Sequence, residues 1–235
     1  MTLTSYYALD MLLYGLLMLS FLLALFAQWR VSSTFRRYGR VGTAAGMNAA
    51  QVARMILDQN GLHHVRIERV RGHLSDHYDP RAQVLRLSEG VHDNPSAAAI
   101  GVAAHEAGHA IQYARHYAPV VLRTRLVPVT NIASGASWIF ILLGILLGSL
   151  GSTFLVIGIV LFSVTTLFQL VTLPCEFNAS GRAMAALSAS GYYTREELSG
   201  ARRVLSAAAL TYVAALLTSV LQLLRLVLIL GRNRR

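Results

Sequence analysis

Four apolar runs punctuate the chain. The first, YYALDMLLYGLLMLSFLLALFAQ over residues 6–28, is long enough to span a bilayer. Two more, roughly Asn131–Leu150 and Thr153–Leu173, are separated only by Gly151 and Ser152 and predict a tight transmembrane hairpin. The fourth, Val204–Leu230, is interrupted by Arg225, and the pattern leaves open whether it crosses a membrane or lies along its surface. The chain therefore reads as an anchor at 6–28, a polar region at 30–130, a hairpin at 131–173, a second polar segment at 174–203, and a spanning or interfacial helix at 204–230. The fold class this predicts is a mainly α membrane protein with a small β element.

Within 30–130 the periodicity changes several times. Thr43–Asn60 predicts a helix, with Met47, Val52, Met55 and Ile56 on one side and Gly61 as its stop. His64–Val70 and Gln83–Leu87 alternate apolar and polar residues, which predicts two short strands around the turn-rich stretch HLSDHYDPRA. Asp93-Asn94-Pro95 signals a helix start, with Asp93 or Asn94 as cap, and that helix should end near His116. Pro174 predicts a break and a new helix after it, and Thr194-Arg195-Glu196-Glu197 fits a capping box.

Composition agrees with a membrane protein: 54% of the 235 residues are hydrophobic and 14% charged. All 21 basic residues are arginine, and the net charge is +10. Because arginines cluster beside the apolar runs, anionic lipid headgroups are the expected counter-charge and nucleic acid is not an expected partner. Residues 1–28 hold no basic residue, whereas Arg30, Arg36, Arg37 and Arg40 follow at once. That asymmetry puts the amino terminus outside and the following loop in the cytoplasm, and with no small-x-small cleavage pattern it predicts an uncleaved anchor. A hairpin returns the chain to the side it left, so residues 174–203 rejoin residues 30–130. A single cysteine, Cys175, excludes an intrachain disulfide.

The candidate chemistry sits in AAHEAGHAIQY, Ala103–Tyr113. On a helix, His105 and His109 lie on one face and can reach one metal ion. Glu106 sits about 100° further round, placed to work on a metal-bound water without being a ligand. Two polar side chains on an ordinary amphipathic helix are the plainer alternative. A catalytic zinc usually takes three protein ligands, and Glu176 is the only carboxylate between Glu106 and Glu196. The hairpin returns it to the same side; the plainer role for it is to stabilise a helix start. Cys175, its neighbour, is read as a packed thiol. His63, His64, His73, His77 and His92 are irregularly spaced and read as surface or turn residues, while Asp76, His77 and Asp79 are candidates for orienting a ligand.

HEAGHAIQ, followed after the hairpin by LPCEFNASGRA and preceded by SDHYDPRAQVLRLSEGV, resembles the bacterial membrane-embedded neutral zinc metallopeptidase (YugP-like) family. More distantly it resembles the gluzincin membrane proteases, whose third ligand lies in a Glu-x-x-Ala-Asp pattern; here Ser180 stands where they carry Asp. The resemblance implies a zincin-like catalytic portion and one Zn²⁺ per chain held by His105, His109 and Glu176, with Glu106 as general base. It also implies that Val84–Ser88 is an edge strand able to pair with a peptide or protein substrate. The activity it implies is a zinc metalloendopeptidase of the bacterial inner membrane, multi-pass, with its site on the cytoplasmic side. Tyr212, His116, Arg182 and Asn178 are candidates for stabilising the oxyanion. Two other readings are a zinc-stabilised membrane adaptor and an intramembrane protease of the site-2 type. The latter needs the metal motif in a transmembrane helix and a later Asp ligand, and residues 107–195 hold no Asp.

Overall fold

The computed structural model describes residues 3–147 and 151–233. In chain order the elements are α1 (Leu3–Tyr38), α2 (Ala49–Gln59), β1 (Arg66–Val70), β2 (His77–Asp79), β3 (Val84–Ser88), α3 (Glu89–His92), α4 (Ala97–Ala114), α5 (Ala118–Leu146), α6 (Ser152–Ala189) and α7 (Arg195–Asn233). Four helices are long and apolar enough to cross a membrane: Ser5–Tyr38, Ala118–Leu146, Ser152–Ala189 and Arg195–Arg232. The chain is a mainly α membrane protein with one small sheet.

Its residues separate into two compact units. The first comprises α1 as far as Phe26, Leu122–Leu173, and α7 from Thr211 onward. Here α5 and α6 approach closely because Gly144 and Gly158 lack side chains; a Cβ at either would stand 2.7 Å from Leu155 or Ile141 atoms. Arg225, the charge that interrupts the last apolar run, is matched within this unit. Its Nε lies 3.1 Å from Asp10 Oδ1 and its guanidinium carbon 3.8 Å from the Tyr14 ring centre. Pairing the two charges removes most of the cost of holding either among apolar helices. Hydroxyls add further bonds between helices, Thr218 to Ser20 at 3.1 Å and Thr166 with Ser219 at 2.7 Å.

The second unit comprises Ala27–Val121 and Pro174–Leu210. Its core joins Val52, Ile56 and Leu57 of α2, Leu85 and Leu87 of β3, and Ile100, Ala104 and Ile111 of α4. Ala183 and Leu187 of α6 and Ala201 and Leu205 of α7 complete it. Small residues allow this density: Gly101 faces Ala201, and a Cβ on Gly108 would stand 2.6 Å from the Ala179 carbonyl oxygen. Thr194 and Glu197 form the predicted box, and the Glu197 carboxylate also accepts from the Ala44 amide at 2.6 Å.

Several elements differ from the sequence pattern. Helix α2 starts at Ala49, capped by Asn48, because Thr43–Gly46 form a turn with Gly46 at φ +65°. Helix α4 is capped by Ser96, whose side chain accepts from the Ala99 amide; Asn94 instead accepts from the Ser96 amide one step upstream. Helix α5 begins at Ala118, with Pro119 in its first turn where a missing N–H is harmless. Pro174 starts no new helix: α6 runs through it, forgoing one ladder bond. The last apolar run continues a single helix that begins at Arg195.

The sheet corrects the expected role of Val84–Ser88. Its order is β1-β3-β2, so β3 is central, parallel to β1 along its full length and antiparallel to β2 from Val84 to Arg86. Beyond β2, the Ser88 amide is bonded to Asp76 Oδ1 at 2.7 Å. A strand whose backbone is engaged on both sides offers no edge to a peptide. The strand that fills that edge, His77–Asp79, lies in the stretch the pattern assigns to a turn.

Candidate metal centre

The centre is built on one face each of α4 and α6. Helix α4 places His105 and His109 one turn apart, their ring centres 4.7 Å from each other. Helix α6 buries Glu176, Ala179, Ala183 and Leu187 along one stripe, which turns the Glu176 carboxylate toward the histidines. Contact at Gly108 and Ala179 sets the helix separation there. Glu176 Oε2 lies 3.3 Å from His105 Nε2 and 3.6 Å from His109 Nε2. Among the described residues His105, His109 and Glu176 are the one group able to hold a metal ion, with ligand atoms all within 4.8 Å of one another.

These residues fit zinc. In a tetrahedral site with Zn–N and Zn–O bonds of about 2.0–2.1 Å, ligand atoms stand about 3.3–3.4 Å apart. Two imidazoles and a carboxylate leave the fourth position open, as catalytic sites do.

Each histidine is also held from behind. His105 Nδ1 lies 3.1 Å from Ser180 Oγ, and His109 Nδ1 lies 3.0 Å from Gln112 Oε1. Gln112 is fully buried, and its Nε2 donates to the Cys175 carbonyl at 2.7 Å and to Asn178 Oδ1 at 3.0 Å. Asn178 Oδ1 also accepts from Arg182 Nε at 2.8 Å. Burial opposes a charge on His109, but the Glu176 hydrogen bond and the nearby Glu106 and Glu176 charges outweigh it, so its pKa lies above the ordinary histidine value.

Glu106 is 8% exposed and, among the described residues, its carboxylate has no hydrogen-bond or ion-pair partner. A buried carboxylate that the protein leaves unengaged is suited to working on water or substrate. Cys175 is a buried thiol whose backbone carbonyl serves Gln112. Asp76 bonds Ser88, and Asp79 bonds Arg81, Ala82 and Arg86, so neither orients a metal ligand. His116 sits exposed at φ +48° in the turn after α4, and Tyr212 belongs to the other unit.

Two residues at this centre have roles that sequence reasoning does not assign. Gln112 follows His109 by three positions, a spacing that puts both on one helix face. Ser180 follows Glu176 by four, a spacing that likewise puts both on one helix face.

Fold and site together define an α-helical membrane protein with a two-histidine, one-glutamate group that could hold a metal ion. The chain belongs to the family described as "Putative neutral zinc metallopeptidase", whose model matches residues 13–231. It is 48% identical over 207 residues to a Bacillus subtilis (strain 168) protein named "Putative membrane protease YugP", covering 88% of this chain and 91% of that one. No solved structure matches it.

Proposed function

We propose that this chain is a membrane-bound zinc metalloendopeptidase that hydrolyses peptide bonds in protein or peptide substrates. The observation that carries this reading is the convergence of His105 Nε2, His109 Nε2 and Glu176 Oε2 beside the unengaged, buried carboxylate of Glu106. His105, His109 and Glu176 hold one zinc per chain. Zinc in such a site acidifies water and polarises a peptide carbonyl. Glu106 accepts the proton that the attacking water gives up and returns it to the departing amine nitrogen. Gln112 and Ser180 keep the two imidazoles turned so that Nε2 of each faces the metal position.

The site faces the cytoplasm from a bacterial cell membrane. Arg30, Arg36, Arg37 and Arg40 near the end of α1, Arg123 and Arg125 at the start of α5, Arg182 near the end of α6, and Arg195, Arg202 and Arg203 at the start of α7 support that orientation. Four crossings then leave Arg232 outside; Arg234 and Arg235 lie beyond the described residues. Helix α4 is not among the four apolar spans, which disfavours the site-2-type reading.

The test is metal content and turnover together. Purified wild type should hold one zinc, the His105→Ala, His109→Ala double variant none, and Glu106→Gln should keep zinc while losing peptide hydrolysis by orders of magnitude. Equal turnover by wild type and Glu106→Gln at equal zinc occupancy would overturn the mechanism in favour of a zinc-stabilised adaptor.

A further inference from the structure

Beside the metal centre, Tyr117, Pro174, Phe177, Asn178, Gly181, Arg182 and Ala185 line an open groove of about 680 Å³. Its walls are apolar, and Gly181, with open space where a Cβ would be, widens it. Its polar groups are unusual in their sign. Asn178 Oδ1 already accepts two hydrogen bonds, from Gln112 and Arg182, so the Asn178 side chain has only its Nδ2 donors left to offer. Arg182 is held at Nε by that same oxygen, which leaves the fork of Nη1 and Nη2 without a protein partner among the described residues. No acidic residue lines the groove. A space with apolar sides, a guanidinium fork and an amide donor suits a ligand that brings acceptors and negative charge, and a carboxylate meets such a fork with two parallel hydrogen bonds.

We propose that this groove is a substrate subsite that binds a peptide carboxylate through Arg182 and Asn178. The proposal rests on the metallopeptidase reading. What ties the groove to the chemistry is a continuous chain of bonds, Arg182 to Asn178 to Gln112 to His109, that ends on a residue of the metal group. The carboxylate comes from an acidic side chain or from a free chain terminus; both present the same atoms to the fork.

The experiment uses the full-length, zinc-loaded protein in uncharged detergent and peptides that differ in one group. One pair carries Glu or Gln beside the cleaved bond; the other ends in a free or an amidated carboxyl group. Wild type should prefer the charged member of one pair by about tenfold or more in kcat/KM. The Glu/Gln pair showing the preference assigns an acidic side chain, and the terminal pair assigns a chain end. Arg182→Gln should abolish the ratio, and Arg182→Glu should turn it toward a Lys-containing peptide. A merely structural role would slow both members equally and leave the ratio intact. Binding of the same peptides to the inactive Glu106→Gln variant, read by fluorescence anisotropy, gives the answer without turnover. If that binding is carboxylate- and Arg182-dependent while wild type cleaves nothing, the subsite stands and the peptidase reading falls. The proposal is overturned if neither pair is discriminated, if Arg182→Gln keeps the ratio, or if the only effect of Arg182→Gln is weaker association with anionic lipid in nanodiscs.

Discussion

Gln112 Oε1 faces His109 Nδ1 at 3.0 Å while Nε2 of the same amide donates to the Cys175 carbonyl at 2.7 Å. A carbonyl can only accept, so the amide has one possible orientation, and its oxygen must receive a proton from Nδ1. The lone pair of neutral His109 is therefore on Nε2, the atom facing Glu176. In the absence of metal a proton held between His109 and Glu176 occupies the same nitrogen, so proton and metal compete for it.

Removing that support should weaken metal binding without deleting a ligand. Gln112→Leu keeps the volume and apolar packing but frees the imidazole. Zinc affinity, measured by competition with a chromogenic chelator, should drop by about 10–100-fold. An unchanged affinity would show that packing alone orients His109.

Ser180 gives a graded version of the same experiment. Ser180→Ala removes the partner of His105 Nδ1 and should weaken zinc binding, whereas Ser180→Asp supplies a charged acceptor and should tighten it relative to wild type. The chelator competition that ranks the three proteins in the order Asp, Ser, Ala supports the role; any order with Ala first removes it.

Gly108 tests the spacing of the two helices. A Cβ there would stand 2.6 Å from the Ala179 backbone oxygen, which cannot rotate away. Gly108→Ala should cost about 1–3 kcal/mol and reduce zinc stoichiometry, because the shift separates the histidines from Glu176. Thermal unfolding and metal analysis of the same sample check both parts.

Much of this centre is legible in the sequence because its logic is local. Two histidines four apart share a helix face whatever the rest of the fold does, and a two-span hairpin brings Glu176 back by connectivity alone. The capping box at Thr194 and Glu197 is equally local. Strand order is not: which of two apolar, alternating segments lies inside a sheet depends on a third strand, and His77–Asp79 is too short and too polar to announce itself. The partners behind the histidines are hidden for a similar reason. Gln112 and Ser180 are common residue types, and their meaning comes from what faces them across α4 and α6.

Asp79 makes the hairpin between β2 and β3 sensitive to acid. Its carboxylate accepts from the Ala82 and Arg81 amides and pairs with Arg86, and these bonds hold its pKa below the ordinary carboxylate value. A depressed folded-state pKa means stability that is present above the unfolded-state value and lost as pH falls through the folded one. Wild type should therefore lose thermal stability more steeply than Asp79→Asn as pH falls below the unfolded-state carboxylate value of about 3.9. Parallel curves for the two proteins would contradict this.

The Asp10–Arg225 pair predicts an asymmetry among variants of the membrane helices. Arg225→Leu alone leaves Asp10 unmatched among apolar side chains and should destabilise more than the double change Asp10→Leu, Arg225→Leu. Unfolding in detergent, compared across the two single variants and the double, measures it. A double variant worse than both singles would mean that the pair adds more than charge compensation.

The interval between the ligands has a consequence for synthesis. His105 and Glu176 stand 71 positions apart, with the whole apolar hairpin between them. As the chain leaves the ribosome, both histidines emerge well before the carboxylate that completes their set. The group that could hold a metal ion is therefore incomplete until both arms of the hairpin have been made and α6 has docked against α4.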